Sequence, residues 1–155
     1  MKGKVKTCFW FDHQALDAAE FYVSLIADSR IEHISLYPDQ PDMAEAGKVL
    51  TVEFTLAGTP CQALNGGPHF TLSEAASISV TTDDQAETDR LWAALIADGG
   101  RESQCGWLKD RFGMSWQIVP RRASELMSGP QAGKAWPTLM KMSKIDIAAL
   151  EAAAV

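Results

Sequence analysis

The sequence predicts an α+β protein made of two strand–helix–three-strand units (βαβββ) followed by a helical tail. Helix-period segments at 14–26 and 85–97 are each flanked by β-rich runs in the same order. The two halves also correspond residue by residue. A shift of 71 positions aligns Asp12 with Asp83, Gln14 with Gln85, Phe21 with Trp92 and Leu25 with Ile96. A shift of 55 aligns Cys61-Gln62-Ala63-Leu64 with Trp116-Gln117-Ile118-Val119, so the second unit has the shorter strand region. Each unit lays one helix on one sheet face and leaves the other open, which calls for a partner unit to complete a core or cavity.

The elements follow in order. Residues 4–11 are β-rich, and in 14–26 Ala15, Ala18, Ala19, Tyr22, Val23 and Ile26 recur at helical spacing. A second strand is expected over 29–37, then a loop with two prolines. Over 47–56, Val49, Thr51, Glu53 and Thr55 alternate with Leu50, Val52, Phe54 and Leu56, the mark of a half-buried strand. Ala57-Gly58-Thr59-Pro60 turns the chain into a short strand at 61–64, which ends at Asn65-Gly66-Gly67-Pro68. The second unit repeats this with a strand at 77–82, a helix stopped by Gly99-Gly100, and strands at 101–104, 106–110 and 115–119. Arg121 to Ser128 reads as helix, and Pro130 and Pro137 suit the first turns of two more. Ser143 and Asp146 resemble a capping box before a last helix. The expected organisation is one domain over 1–120, with units at about 1–68 and 69–120, and an extension over 121–155.

Lys and Arg number 14 against 20 Asp and Glu, a net charge of -6. No basic stripe is present, which argues against nucleic acid and against an anionic membrane surface. No run approaches the roughly 18–20 apolar residues of a membrane span, and the N-terminus has no signal-peptide pattern, so a cytoplasmic location is expected. Three dispersed cysteines, Cys8, Cys61 and Cys105, suit reduced thiols; Cys8 and Cys61 read as core residues.

Five segments carry a resemblance: FWFDHQALDAAEFYVSLI (9–26), ALNGGPHF (63–70), DDQAETDRLWAAL (83–95), CGWLKDRFGMSWQIVP (105–120) and KMSKIDIAALEAA (141–153). Together they resemble the vicinal oxygen chelate superfamily of glyoxalase I, bleomycin-resistance proteins and extradiol dioxygenases, and within it the PhnB-like branch. The resemblance implies the glyoxalase/bleomycin resistance/dioxygenase-like fold and a homodimer. A methyltransferase description often attached to this branch has no support in the residues, because neither Gly66-Gly67 nor Gly99-Gly100 forms a GxGxxG loop between strand and helix.

In metal-using members of the superfamily the ligands come from the first and last strands of both units. Those slots map here to Lys6 or Thr7, Gln62, Ser77 and Gln117, and none holds His or a carboxylate. Gln oxygen is a weak ligand, so no metal and no cofactor is expected. His13, His33 and His69 match no ligand spacing, and Asp110-Arg111 reads as an exposed turn pair. A binding surface is the better expectation. Trp10, Trp107 and Trp116 offer aromatic faces, and Gln62, Gln117, Ser77 and Ser79 offer orienting polar groups. The expected activity is metal-independent binding of a small organic molecule in a cavity between paired units. The alternatives are a metal-dependent lyase, isomerase or dioxygenase, or a module with no small ligand. Apolar tail residues, among them Trp136, Leu139, Met140, Ile145 and Leu150, point to a dimer interface that includes parts of 121–155.

Overall fold

The computed structural model describes residues 3–155. Two compact units divide between Leu72 and Ser73. The first contains β1 (Thr7–Phe11), α1 (Ala15–Leu25), β2 (Arg30–Leu36), β3 (Val49–Leu56) and β4 (Thr59–Asn65). Its sheet runs β1-β4-β3-β2, with β1 parallel to β4 and the other pairs antiparallel. Strand alternation sorts the side chains. Phe9, Phe11, Val52, Phe54, Leu56, Cys61 and Ala63 are buried, and so are Ala15, Ala18, Ala19 and Tyr22 on α1. Three alanines on one stripe let the helix lie close to β3 and β4, which it packs against.

The turn between β3 and β4 is a two-residue loop with positive φ at both Ala57 (46) and Gly58 (83), the mirror-image geometry that matches strand twist. Asn65, the last residue of β4, joins three segments. Its Oδ1 accepts the Ala15 N–H at 2.8 Å, its Nδ2 donates to the Val49 carbonyl at 3.1 Å, and its own carbonyl accepts the Tyr37 hydroxyl. Gln14 supplies no side-chain cap to α1, so Asn65 serves that end of the helix from 50 positions away.

The second unit contains β5 (Ile78–Thr82), α2 (Gln85–Ile96), β6 (Arg101–Glu102), β7 (Trp107–Lys109) and β8 (Ser115–Pro120), then α3 (Arg121–Ser128), α4 (Ala132–Leu139) and α5 (Ile147–Ala153). Its sheet runs β5-β8-β7-β6, the same pattern as the first, with β5 parallel to β8. The start of α2 is capped reciprocally: Asp84 Oδ1 accepts the Glu87 N–H, and Glu87 Oε2 accepts the Asp83 N–H. Leu91, Trp92 and Leu95 of α2 are buried, as are Leu108, Met114, Trp116 and Ile118, and α2 packs on β7 and β8.

The tail differs from expectation. One helix, α4, contains Pro137 instead of two helices starting at prolines. The carbonyl that Pro137 leaves without its helical donor is that of Gly133, which is exposed to water. α5 is capped by Asp146 itself, whose carboxylate accepts the Ala149 N–H, and not by Ser143. Leu139, Ile145 and Leu150 are buried in a cluster with Ala123, Ala135 and Ala154. Of the apolar tail residues, Leu139, Ile145 and Leu150 are thus covered within the unit, and Trp136 and Met140 stay exposed. Among the described residues no helix is long and apolar enough to cross a membrane.

Candidate functional site

Because α1 covers one face of the first sheet, the alternate residues of each strand form the helix-free face. The pairing register sets Cys8 opposite Gln62, Gln62 opposite Glu53 and Glu53 opposite His33. A row of four polar side chains thus crosses the whole sheet at the inter-strand spacing of about 4.8 Å. The next row is Trp10, Leu64, Thr51 and Ser35. Lys6 donates to Glu53 Oε1 and forms an ion pair with it. Of the two residues the sequence offers for the first slot, Lys6 thus reaches the helix-free face, whereas Thr7 pairs with buried Cys61.

That ammonium holds the Glu53 carboxyl below the usual glutamate range, chiefly through the hydrogen bond and against a smaller opposing effect of burial. The folded-state value is depressed, so the pair's contribution is present above the ordinary carboxylate range and is lost as pH falls through the folded-state value. Lys6→Met should return the Glu53 titration, followed by carboxyl carbon NMR, toward the usual range; an unmoved midpoint would remove Lys6 as the cause. Cys8 corrects the sequence reading. It is exposed on this face, because Phe9 and Phe11 take the helix side, and only Cys61 is a core thiol. Partial burial pushes the Cys8 thiol up, and Lys6 lowers it by less. Trp10 lies on the same face with its indole N–H given to the Gly67 carbonyl at 2.8 Å and its ring edge-on to Phe70, centroids 4.9 Å apart.

In the second unit Ser79 pairs with Gln117, and Gln117 with Trp107. Gln117 Nε2 donates to Ser77 Oγ at 2.9 Å. Four of the sequence candidates, Ser77, Ser79, Trp107 and Gln117, thus share one face. Trp116 does not. It is 0% exposed, on the opposite side of β8 from Gln117, with its indole N–H donated to Asp110 Oδ2 at 2.9 Å. Adjacent residues in a strand point to opposite faces, which removes Trp116 from the candidate set. Asp110 is also corrected: it is 3% exposed, not an exposed turn residue, and its Oδ1 accepts the Phe112 and Met114 N–H groups. Arg111 is exposed with its guanidinium over the Phe112 ring.

Each unit also carries a cleft. At one end of the first sheet a groove of about 880 Å³ is lined by Asp12, His13, Tyr37, Lys48, Asn65 and His69, among others. His13 and His69, far apart in the sequence and matching no ligand spacing, both line it. On the second unit a cleft of about 310 Å³ is lined by Trp107, Lys109, Arg101 and Ser115, among others. Ser115 Oγ is buried without a hydrogen-bond partner. A hydroxyl left so costs about 1–3 kcal/mol.

Residues 3–119 match the model of a protein family described as 3-demethylubiquinone-9 3-methyltransferase. The chain belongs to this family. It is 30% identical to the PhnB protein from Bacillus cereus, with a TM-score of 0.68, covering 76% of this chain and 99% of that one. The structure of PA1353 from Pseudomonas aeruginosa is similar at 21% identity and a TM-score of 0.63, covering 77% and 98%. The fosfomycin resistance protein FosX from Listeria monocytogenes, solved as a mutant complexed with Mn(II) and 1S,2S-dihydroxypropylphosphonic acid, shares the fold at 14% identity and a TM-score of 0.54, covering 81% and 95%. Curated proteins give no significant match. The chain is thus a PhnB-like protein, with the α+β fold of two βαβββ units that the repeat predicts and that FosX shares.

The PhnB-like fold tests two chemistries attached to its relatives. The family description names a methyl transfer, but both sheets are mixed and four-stranded, and the double glycines follow β4 and α2 instead of joining a strand to a helix. That is not the doubly wound sheet with a glycine-rich strand-to-helix loop of typical S-adenosylmethionine-dependent transferases. Metal-centred chemistry needs a converging donor set. Among the described residues no three His, Cys, Asp or Glu side chains group so as to hold a metal ion. Gln62, Gln117 and Ser77 are neutral, weak donors, and Lys6 is a cation already seated on Glu53. These residues do not fit the metal.

Proposed function

We propose that this PhnB-like protein binds a small organic molecule through the helix-free faces of its sheets, with no resident metal. The observation that supports this most is the row Cys8, Gln62, Glu53 and His33, in which the central carboxylate has an ammonium of its own chain as counter-ion. A row of this kind offers donors and acceptors fixed on rigid strands, beside the half-buried ring of Trp10. The second sheet repeats the arrangement in neutral form, with Ser79, Gln117 and Trp107 in the corresponding positions.

The test is a thermal-shift screen of metabolite-sized aromatic, carbonyl and hydroxy compounds, run with EDTA and again with added Mn²⁺. At least one compound should raise Tm equally in both. Its affinity should fall about tenfold in Gln62→Ala or Gln117→Ala, the loss of one good hydrogen bond. A stabilisation that appears only with the metal, or one tightly held metal per purified chain, would reject this reading in favour of a metal-dependent enzyme.

A further inference from the structure

The cleft on the second unit holds charges that the Gln117 row does not use. Lys109 lies opposite both Ser115 and Arg101 in the strand register, so the three stand in a row beside Gln117 and Trp107 on the helix-free face. Ser115 Oγ is the one buried side-chain polar atom among the described residues that makes no hydrogen bond, and Ser115 lines this cleft. A buried hydroxyl that is unpaired in the free protein is a donor waiting for an acceptor. Around it stand a lysine ammonium and a guanidinium, the groups that recognise oxyanions.

A carboxylate is already present. Glu74, 69% exposed in the irregular segment between β4 and β5, reaches Lys109 at 2.7 Å and also feels Arg101. Lys109 holds the Glu74 carboxyl below its usual range. Glu102 also lines the cleft, but its carboxylate accepts the Trp92 indole N–H at 2.8 Å. The contact between Glu74 and Lys109 shows that the cleft takes a carboxylate from the solvent side, and Glu74 leaves the Ser115 hydroxyl unused.

We propose that this cleft binds the carboxylate of a small organic acid, which displaces Glu74 from Lys109, accepts a hydrogen bond from Ser115 Oγ, and lays its apolar body along Trp107. The proposal rests on the reading of the helix-free faces as binding surfaces and names the charged group of the molecule held on the second one. Glu74 then acts as an internal competitor. Its removal must strengthen binding, whereas loss of Lys109 or Ser115 must weaken it.

The probe is benzoate, titrated into the full chain by calorimetry and amide NMR, with benzyl alcohol and inorganic phosphate in parallel. Benzoate should shift the Trp107 indole and Ser115 amide signals. Glu74→Gln should tighten it at least about threefold, and Lys109→Met and Ser115→Ala should each weaken it about tenfold, with Lys109→Arg retaining most of the affinity. Glu74 is exposed, so its variant tests the idea even if a Ser115 variant folds poorly. Benzoate that does not bind, or that binds with an affinity indifferent to all of these changes, overturns the proposal. Benzyl alcohol binding as well as benzoate, with the same shifts, overturns the charge assignment and leaves small-molecule binding standing. Phosphate binding more tightly than benzoate, with the same response to the variants, overturns the assignment to a carboxylate.

Discussion

Asp110→Ala is expected to destabilise the protein by about 3–5 kcal/mol, a large share of a typical 5–15 kcal/mol total. Asp110 is 3% exposed, and its two oxygens accept three N–H donors: Phe112, Met114 and the Trp116 indole. Alanine removes the acceptor of all three bonds, and two of the donors, the Met114 amide and the Trp116 indole, belong to buried residues. The loss spreads in two directions. The turn from Asp110 to Met114 loses its side-chain bonds and keeps the backbone ones, Asp110 N–H to the Met114 carbonyl and Gly113 N–H to the Asp110 carbonyl, while Trp116, fully buried beneath α2, loses its bond to Asp110. Asp110→Asn keeps an acceptor for the turn but sets an NH2 group against the indole N–H, so it should recover only part of the loss. Urea unfolding measures both. An Asp110→Ala midpoint within error of the parent would show that water or repacking replaces the carboxylate.

Gly106→Ala should cost about 2–4 kcal/mol, combining left-handed backbone strain with overpacking. Gly106 has φ +84, and a Cβ there would meet the Ile118 carbonyl oxygen at 2.8 Å and Ile145 Cδ1 at 2.9 Å. The first is backbone and cannot turn aside. The same residue holds the tail in place: its N–H donates to the Ser143 carbonyl at 2.8 Å, and the Cys105 N–H donates to the Met142 carbonyl at 2.8 Å. The substitution should therefore shift NMR signals over Met142 to Ile145 as well as lower the unfolding midpoint. A stable variant with unmoved tail signals would mean that the segment yields freely.

The strand alternation is legible in the sequence because it lies within a short stretch of chain, and the repeat because residues of like type recur in the same order in both halves. The alternation in GKVLTVEFTL places Glu53 with the polar set, and it does face away from α1. What lies on that face with it is not legible, because Lys6 is 47 positions away and is brought over by the pairing of β1 with β4 and of β4 with β3. Cys8 reads wrongly as core because the apolar run CFWF masks the alternation that buries Phe9 and Phe11. The Trp116 error has a remedy in the sequence. Trp116 and Gln117 are neighbours in a strand, so they cannot both face one ligand. The burial of Asp110 depends on an indole six residues ahead, across a turn whose shape no local propensity announces.

The cap that Asn65 places on α1 has a consequence for the time the molecule spends closed. Amide protons in the first turn of a helix ordinarily exchange with solvent through fraying, because no carbonyl of their own helix holds them. The Ala15 proton is held by a side chain of β4, and Ala15 is 0% exposed. It cannot meet water until helix and strand part. Deuterium uptake at Ala15 should therefore keep pace with that of the β4 amides and lag behind the exposed turns, so that α1 and β4 behave as one cooperative opening unit despite the 50 residues between them.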